Sequence, residues 1–310
     1  MIDWSGVFHI MATPFADDGT LDEDGLPRLV ECARASGVSG LTILGIAGEA
    51  HRLTDEERRR VVGAVVKEAA GRVPVAVGVS APGTHLAAAF ARTAREHGAA
   101  AVMIAPPAGT RNLEAVAEYY HAVADAARLP VVVQDEPVTT QVTMPAPFIA
   151  RLCAELPAVE AVKLEEAPVP PKITRLRAAL ARRVPIFGGL GGVSFLEELG
   201  RGADGTMTGF AYPEALRAIR EDFVVGRRAE ARARFQRWLP LIRYESQPGS
   251  VPGTSIGIRK EILRRRGWIR SAYVRPPTPG LDAGTLEELD GLLGALGAEL
   301  PLSPSRVIGG

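Results

Sequence analysis

Val159-Glu160-Ala161-Val162-Lys163-Leu164 is a short apolar run with a single lysine near its end. Its β-branched residues and its length suit a strand rather than a helix. Runs of the same kind return about every 30 residues in both directions, at 7–10, 41–44, 73–79, 100–104, 130–133, 184–187 and 205–208. All eight are near-continuously hydrophobic, as expected of parallel strands covered on both faces. Between them lie amphipathic stretches with start and stop signals. Thr54-Asp55-Glu56-Glu57 is a capping box opening a helix over 58–70 that Gly71 closes. Further helices are predicted over 23–36, 84–97, 113–128, 146–156, 172–181, 195–201 and 213–225. Eight strands and eight helices in strict alternation predict an α/β fold, a closed (β/α)8 TIM barrel over residues 1–225. An open doubly wound sheet would leave its last strands as untreated edges. Residues 226–300 read as a C-terminal helical extension packed on the barrel, with helices over 228–245, 254–266 and 285–298, and 301–310 as a loose tail.

The chain has 310 residues, 46% hydrophobic and 23% charged, enough to bury a large core, and its bulk does not fit a disordered chain. Thirty-six basic side chains face 36 acidic ones. That balance gives no electrostatic footprint for nucleic acid or an anionic membrane, so a small neutral or weakly anionic partner is expected. Cys32 and Cys153 lie in separate helical segments and read as reduced core residues. No basic leader followed by an apolar stretch, and no run of about 18 apolar residues, is visible. A cytoplasmic protein is the expectation. The five histidines, His9, His51, His85, His97 and His121, are dispersed, so a metal-assisted site is not expected. No phosphate-cradling glycine motif follows any strand, so no nucleotide cofactor is expected either.

In a barrel of this kind the reactive groups sit at the carboxyl ends of the strands. Only four of the 36 basic side chains are lysine: Lys67, Lys163, Lys172 and Lys260. Lys67, Lys172 and Lys260 fall on polar helical stretches and read as solvated. Lys163 instead lies inside the sixth strand, where an ammonium is costly to bury unless it is paired or loses its proton. A neutral amine at a barrel mouth attacks ketone carbonyls and gives a Schiff base whose iminium is an electron sink. The competing reading is a lysine merely neutralised by Glu165 or Glu166. Glu165 shares a strand face with Lys163 by the period of two, and any contact between them is expected to be partial or substrate-dependent. At the end of the second strand, Leu44-Gly45-Ile46-Ala47-Gly48-Glu49 has two glycines spaced three apart, which lets backbone N–H groups face a substrate carboxylate or simply makes a turn.

Taken with Ala12-Thr13-Pro14-Phe15, Ala105-Pro106-Pro107, Val162-Lys163 and the glycine-rich 188–192, this loop makes the chain resemble the dihydrodipicolinate synthase and N-acetylneuraminate lyase superfamily across residues 5–298. The resemblance implies a 2-oxo-acid-binding barrel in which Lys163 is the Schiff-base lysine. The backbone around Gly45, Ile46, Ala47 and Gly48 would hold the carboxylate, Glu49 would be structural, and Gly189, Met207 and Thr208 would line the substrate site. It also implies a homotetramer built as a dimer of dimers, although the tyrosine exchanged across the tight dimer interface of the synthase is absent. Where the synthase has loop hydroxyls, this chain has Ile46 and Ala47; where a tyrosine relays protons, it has Gln134. An amide is no general acid or base, so Gln134 is assigned to positioning and lysine biosynthesis is not expected. Val133-Gln134-Asp135-Glu136-Pro137, Met207-Thr208-Gly209 and Trp238-Leu239-Pro240-Leu241-Ile242 look closer to the branch that includes L-2-keto-3-deoxyarabonate dehydratase.

These features predict a lyase that dehydrates a 2-keto-3-deoxy sugar acid. Two alternatives stay open: an aldolase using pyruvate, and a non-catalytic 2-oxo-acid-binding barrel that has lost its proton relay. Candidates for moving protons are Glu165, Glu136, Asp135, Thr208, His51 and Lys163 itself. For His51 a surface-loop role competes, and for Asp135 and Glu136 a turn role beside Pro137.

Overall fold

A computed structural model describes residues 2–247 and 253–297. Eight parallel strands, β1 (Gly6–Ile10), β2 (Gly40–Ile43), β3 (Val75–Gly78), β4 (Ala101–Ile104), β5 (Val131–Asp135), β6 (Val159–Leu164), β7 (Ile186–Gly188) and β8 (Gly205–Thr208), close into a barrel in sequence order. Closure pairs β1 with β8, Phe8 opposite Met207.

Alternation along each strand sorts the side chains into two cores. Inside the barrel, Phe8, Met103, Val132, Ala161, Phe187 and Met207 pack on one another. Trp4 plugs the amino end, its ring stacked 5.1 Å from Phe8, with its indole N–H donated to Glu160 at 2.8 Å. The outward residues, such as Val133, Val162 and Leu164, meet the surrounding helices in a larger apolar shell.

Those helices are α1 (Gly25–Ala35), α2 (Asp55–Ala69), α3 (Thr84–Glu96), α4 (Leu113–Ala127), α5 (Pro137–Thr140), α6 (Ala146–Glu155), α7 (Val169–Ala179), α8 (Phe195–Gly200) and α9 (Pro213–Val224). The capping box at Thr54 is formed: the Thr54 hydroxyl accepts from the Glu57 N–H, and the Glu57 carboxylate accepts from the Thr54 N–H. The helix ends on a left-handed Ala70 rather than at Gly71. Two expectations shift. Pro170 and Pro171 do not delay α7, because proline in a first helical turn loses no hydrogen bond, so the helix begins three residues before the predicted start at 172. Beside Pro137 the chain makes one helical turn, α5, in place of a simple turn, with the Glu136 carboxylate accepting from the Thr139 N–H.

Beyond the barrel lie α10 (Arg228–Ser246), α11 (Thr254–Arg265) and α12 (Ala283–Leu296). Phe235, Trp238, Leu241 and Ile242 of α10 and Ile258, Ile262 and Leu263 of α11 join the shell around the barrel. Trp238 meets Tyr212 at 5.1 Å between ring centroids. The extension therefore shares its core with the barrel. The predicted tail 301–310, and residue 298 at the end of the third extension helix, lie outside the described residues. Among the described residues no helix is long and apolar enough to cross a membrane, and both cysteines are buried and free.

Candidate active site

A cavity opens at the carboxyl ends of the strands. Lys163 and Glu165 reach it from the same side of β6, as the period of two requires, because Ala161 points into the barrel and Val162 and Leu164 point out. Lys163 is 2% exposed, and its Nζ lies 2.7 Å from Glu165 Oε2. The contact is direct, where the sequence suggested a partial or substrate-dependent one. Two neighbours make it so. Strand pairing sets Gln134 of β5 opposite Lys163, and the Gln134 amide donates to the same Glu165 Oε2 at 2.8 Å. Gly189 leaves the other side open: a Cβ there would fall 2.2 Å from Glu165 Cγ. The carboxylate is thus seated between an amine, an amide and a bare backbone.

Across the mouth, Gly45, Ile46 and Ala47 line the cavity. Ile46–Gly48 is a single 3-10 turn, flanked by left-handed Leu44 and Glu49. The first N–H groups of a helical turn have no partner within it, which leaves those of Ile46 and Ala47 for a ligand. Gly48 differs from its neighbours. Its N–H is donated to Gly45 O at 3.0 Å, its carbonyl accepts from Thr13 Oγ1 at 2.6 Å, and it does not line the cavity. Glu49 is wholly buried behind the loop, accepting from Lys260, from Arg52 at 3.1 Å and from the Arg275 N–H at 3.0 Å.

Of the remaining candidates, Gly189, Met207, Thr208 and Glu136 line the cavity. Burial pushes the Glu136 carboxyl up, with the Glu165 charge adding to the shift. Asp135 faces outward to Lys172 at 2.6 Å, and its burial raises the carboxyl to about 6. His51 is exposed and lies outside this cavity. The expectation that Lys172 and Lys260 are solvated is wrong. Lys172 is 2% exposed between Asp135 and Glu166, and Lys260 is 0% exposed on Glu49, because each helix turns its lysine inward onto a carboxylate of a distant segment.

Sequence reasoning also passed over Arg259 of α11, which lines the cavity at 6% exposure and donates from Nε to Glu245 at 2.8 Å. Nothing local marks it, since α11 is rich in charges throughout. Glu198 of α8 was missed too. It is 1% exposed, and burial, followed by the charges of Glu197 and Glu165, lifts its carboxyl to about 8. Among the described residues no group of three or more His, Cys, Asp or Glu side chains could hold a metal ion.

The model of the dihydrodipicolinate synthetase family matches residues 3–296. L-2-keto-3-deoxyarabonate dehydratase of Azospirillum brasilense is 36% identical over 293 residues, 92% of each chain. A 4-hydroxy-tetrahydrodipicolinate synthase of Xanthomonas campestris is 32% identical over 269 residues, 85% of each. Among solved structures, dihydrodipicolinate synthase of Rhodopseudomonas palustris superposes with a TM-score of 0.89 at 37% identity, covering 94% of this chain and 97% of that one. Sialic acid aldolase of Ruminococcus gnavus, at 24% identity and a TM-score of 0.86, shares the fold.

Proposed function

The chain belongs to the dihydrodipicolinate synthetase family and is a lyase, and from that premise we propose that it dehydrates a 2-keto-3-deoxy sugar acid through a Schiff base on Lys163. The observation that carries this reading is the Lys163–Glu165 pair facing the cavity, with Gln134 beside it where a tyrosine relay would stand. The substrate carboxylate rests on the N–H groups of Ile46 and Ala47, which holds the C2 carbonyl over the amine. Glu165 Oε2 takes a proton from Lys163 Nζ across 2.7 Å, and the neutral amine attacks C2. An amine proton passes to the C2 oxygen to give the carbinolamine, whose hydroxyl takes the proton held by Glu165 and leaves as water, giving the iminium. The C3–H proton moves to Glu165 as the bonding pair enters the iminium, forming an enamine. The enamine pair expels the C4 hydroxyl, which takes a proton from Glu165 and departs as water. A water molecule hydrolyses the resulting conjugated imine and frees Lys163. One carboxylate serves each proton transfer in turn, so no tyrosine is needed. Gln134 donates to Glu165 and orients it, and Glu49 supports the carboxylate loop from behind.

The test is borohydride reduction with pyruvate and with a panel of 2-keto-3-deoxy sugar acids, read by peptide mass spectrometry at Lys163 together with product analysis. Adduct on Lys163 and a product lighter by one water are expected. Cleavage to pyruvate and an aldehyde would make the enzyme an aldolase, and a folded protein that traps nothing would make it a binding barrel. A homotetramer is proposed for the assembly, to be read by analytical ultracentrifugation.

A further inference from the structure

Arg259 enters the cavity from α11, outside the eight strand–helix units, and the proton transfers above make no use of it. Its Nε is spent on Glu245, and the second oxygen of Glu245 is spent on the Ala211 N–H at 2.9 Å. A guanidinium has five N–H donors, so this pair occupies one edge and leaves the other for a ligand. Thr208, Ser246 and Ser255 line the same cavity, among the apolar Leu190, Met207 and Ile256. Gly209 makes the placement possible: a Cβ there would lie 2.6 Å from Arg259 Nη1.

Barrel order gives the direction of a bound chain. The carboxylate loop of β2 and Lys163 of β6 stand opposite one another, and the two lateral walls are β4 and β8. At the cavity both walls carry a methionine, Met103 on β4 and Met207 on β8, and β8 adds the Thr208 hydroxyl and, behind Gly209, Arg259. A hydroxylated tail beyond C3 therefore runs toward β8. Charge then narrows the class of tail. The cations lining the cavity are Lys163 and Arg259, each already matched by a glutamate, and Glu136 adds a further carboxyl. A second substrate carboxylate would meet no unmatched cation in this lining, while a hydroxyl accepts an N–H bond without adding charge.

We propose that Arg259 is the specificity-determining residue of this enzyme, hydrogen-bonding the far hydroxyls of a monoanionic 2-oxo acid and selecting it over tail-less and dicarboxylic 2-oxo acids. The inference rests on the Schiff-base reading of Lys163.

Half-saturation for borohydride trapping is measured with pyruvate, a 2-keto-3-deoxy pentonate and 2-oxoglutarate, in the wild type, Arg259→Gln and Gly209→Ala. Arg259→Gln strands the buried Glu245, so Gly209→Ala, which displaces the guanidinium while keeping the ion pair, serves as the second variant. In both, the half-saturation of the pentonate rises relative to that of pyruvate, roughly 10- to 100-fold for Arg259→Gln and less for Gly209→Ala. Wild-type preference for 2-oxoglutarate over the pentonate, or equal shifts for pyruvate and pentonate in Gly209→Ala, would overturn the proposal. Failure of the wild type to trap even pyruvate strikes instead at Lys163 and removes the premise, a result distinct from either.

Discussion

Lys163 and Lys260 are each buried against a glutamate, and they differ in what lies on the far side of the amine. Lys163 meets Glu165 at 2.7 Å and faces the open cavity at the barrel mouth. Lys260 meets Glu49 with both side chains at 0% exposure, the Tyr273 carbonyl at 2.8 Å and the Phe15 ring 4.2 Å from Nζ. Burial and a carboxylate partner are common to both. Desolvation pushes the Lys260 amine down to about 8, opposed by Glu49, yet no substrate carbonyl can reach it. A perturbed lysine is thus a poor marker of chemistry unless its free face is open. Closed on all sides, the same pair is a clasp, here joining α11 to the loop that follows β2. Glu198 is a buried carboxyl of another kind: among the described residues its Oε2 has no hydrogen-bond partner.

The comparison is sharpest where the open pair is broken. Lys163→Met should lower turnover about 1,000-fold or more while the circular dichroism and melting curve stay those of a folded barrel. Substantial residual turnover would erase the distinction between the two lysines. Lys260→Met should do the converse, costing about 2–3 kcal/mol in urea unfolding, because buried Glu49 keeps Arg52 but loses the ammonium on its other oxygen. Adding Glu49→Gln, which removes the charge and keeps an acceptor for the Arg275 N–H, should recover part of that loss; a Lys260→Met protein as stable as wild type but inactive would refute the clasp. The smallest effect belongs to Glu198→Gln. An unfolded Glu198 titrates near its ordinary 4.5 and the folded one at about 8. Between those values the unfolded chain gives up a proton that the folded chain keeps, so wild-type stability falls as pH rises through the window and levels above it. The melting temperature of Glu198→Gln should gain on wild type from about pH 5 to about pH 8, and a gap that narrows over that range would show the folded carboxyl to be ionised.

Strand periodicity made β6 legible, and a lone lysine in an apolar strand made Lys163 stand out, because both signals lie within six consecutive residues. The contact of Gln134 with Glu165 needed more, since the register of β5 on β6 depends on the irregularity between Val131 and Val132. Lys260 lay beyond reach altogether. Its partner is 211 residues away, and Arg-Lys-Glu in the middle of a helix reads as a wetted face until the tertiary fold covers it. Arg259 was hidden for the same reason, being the preceding residue of that helix. Local pattern thus exposed what strands carry and concealed what the extension contributes.

The bare backbone at Gly189 has a consequence for anyone transplanting this chemistry. A Lys-x-Glu pair written onto the sixth strand of another barrel brings its carboxylate into the space above the seventh strand, and any side chain there would collide with it. The smallest portable unit is therefore three residues at the ends of two strands, one of them valued for the atoms it lacks. A library that randomised position 189 while screening for new substrates would lose most of its members before any substrate was offered.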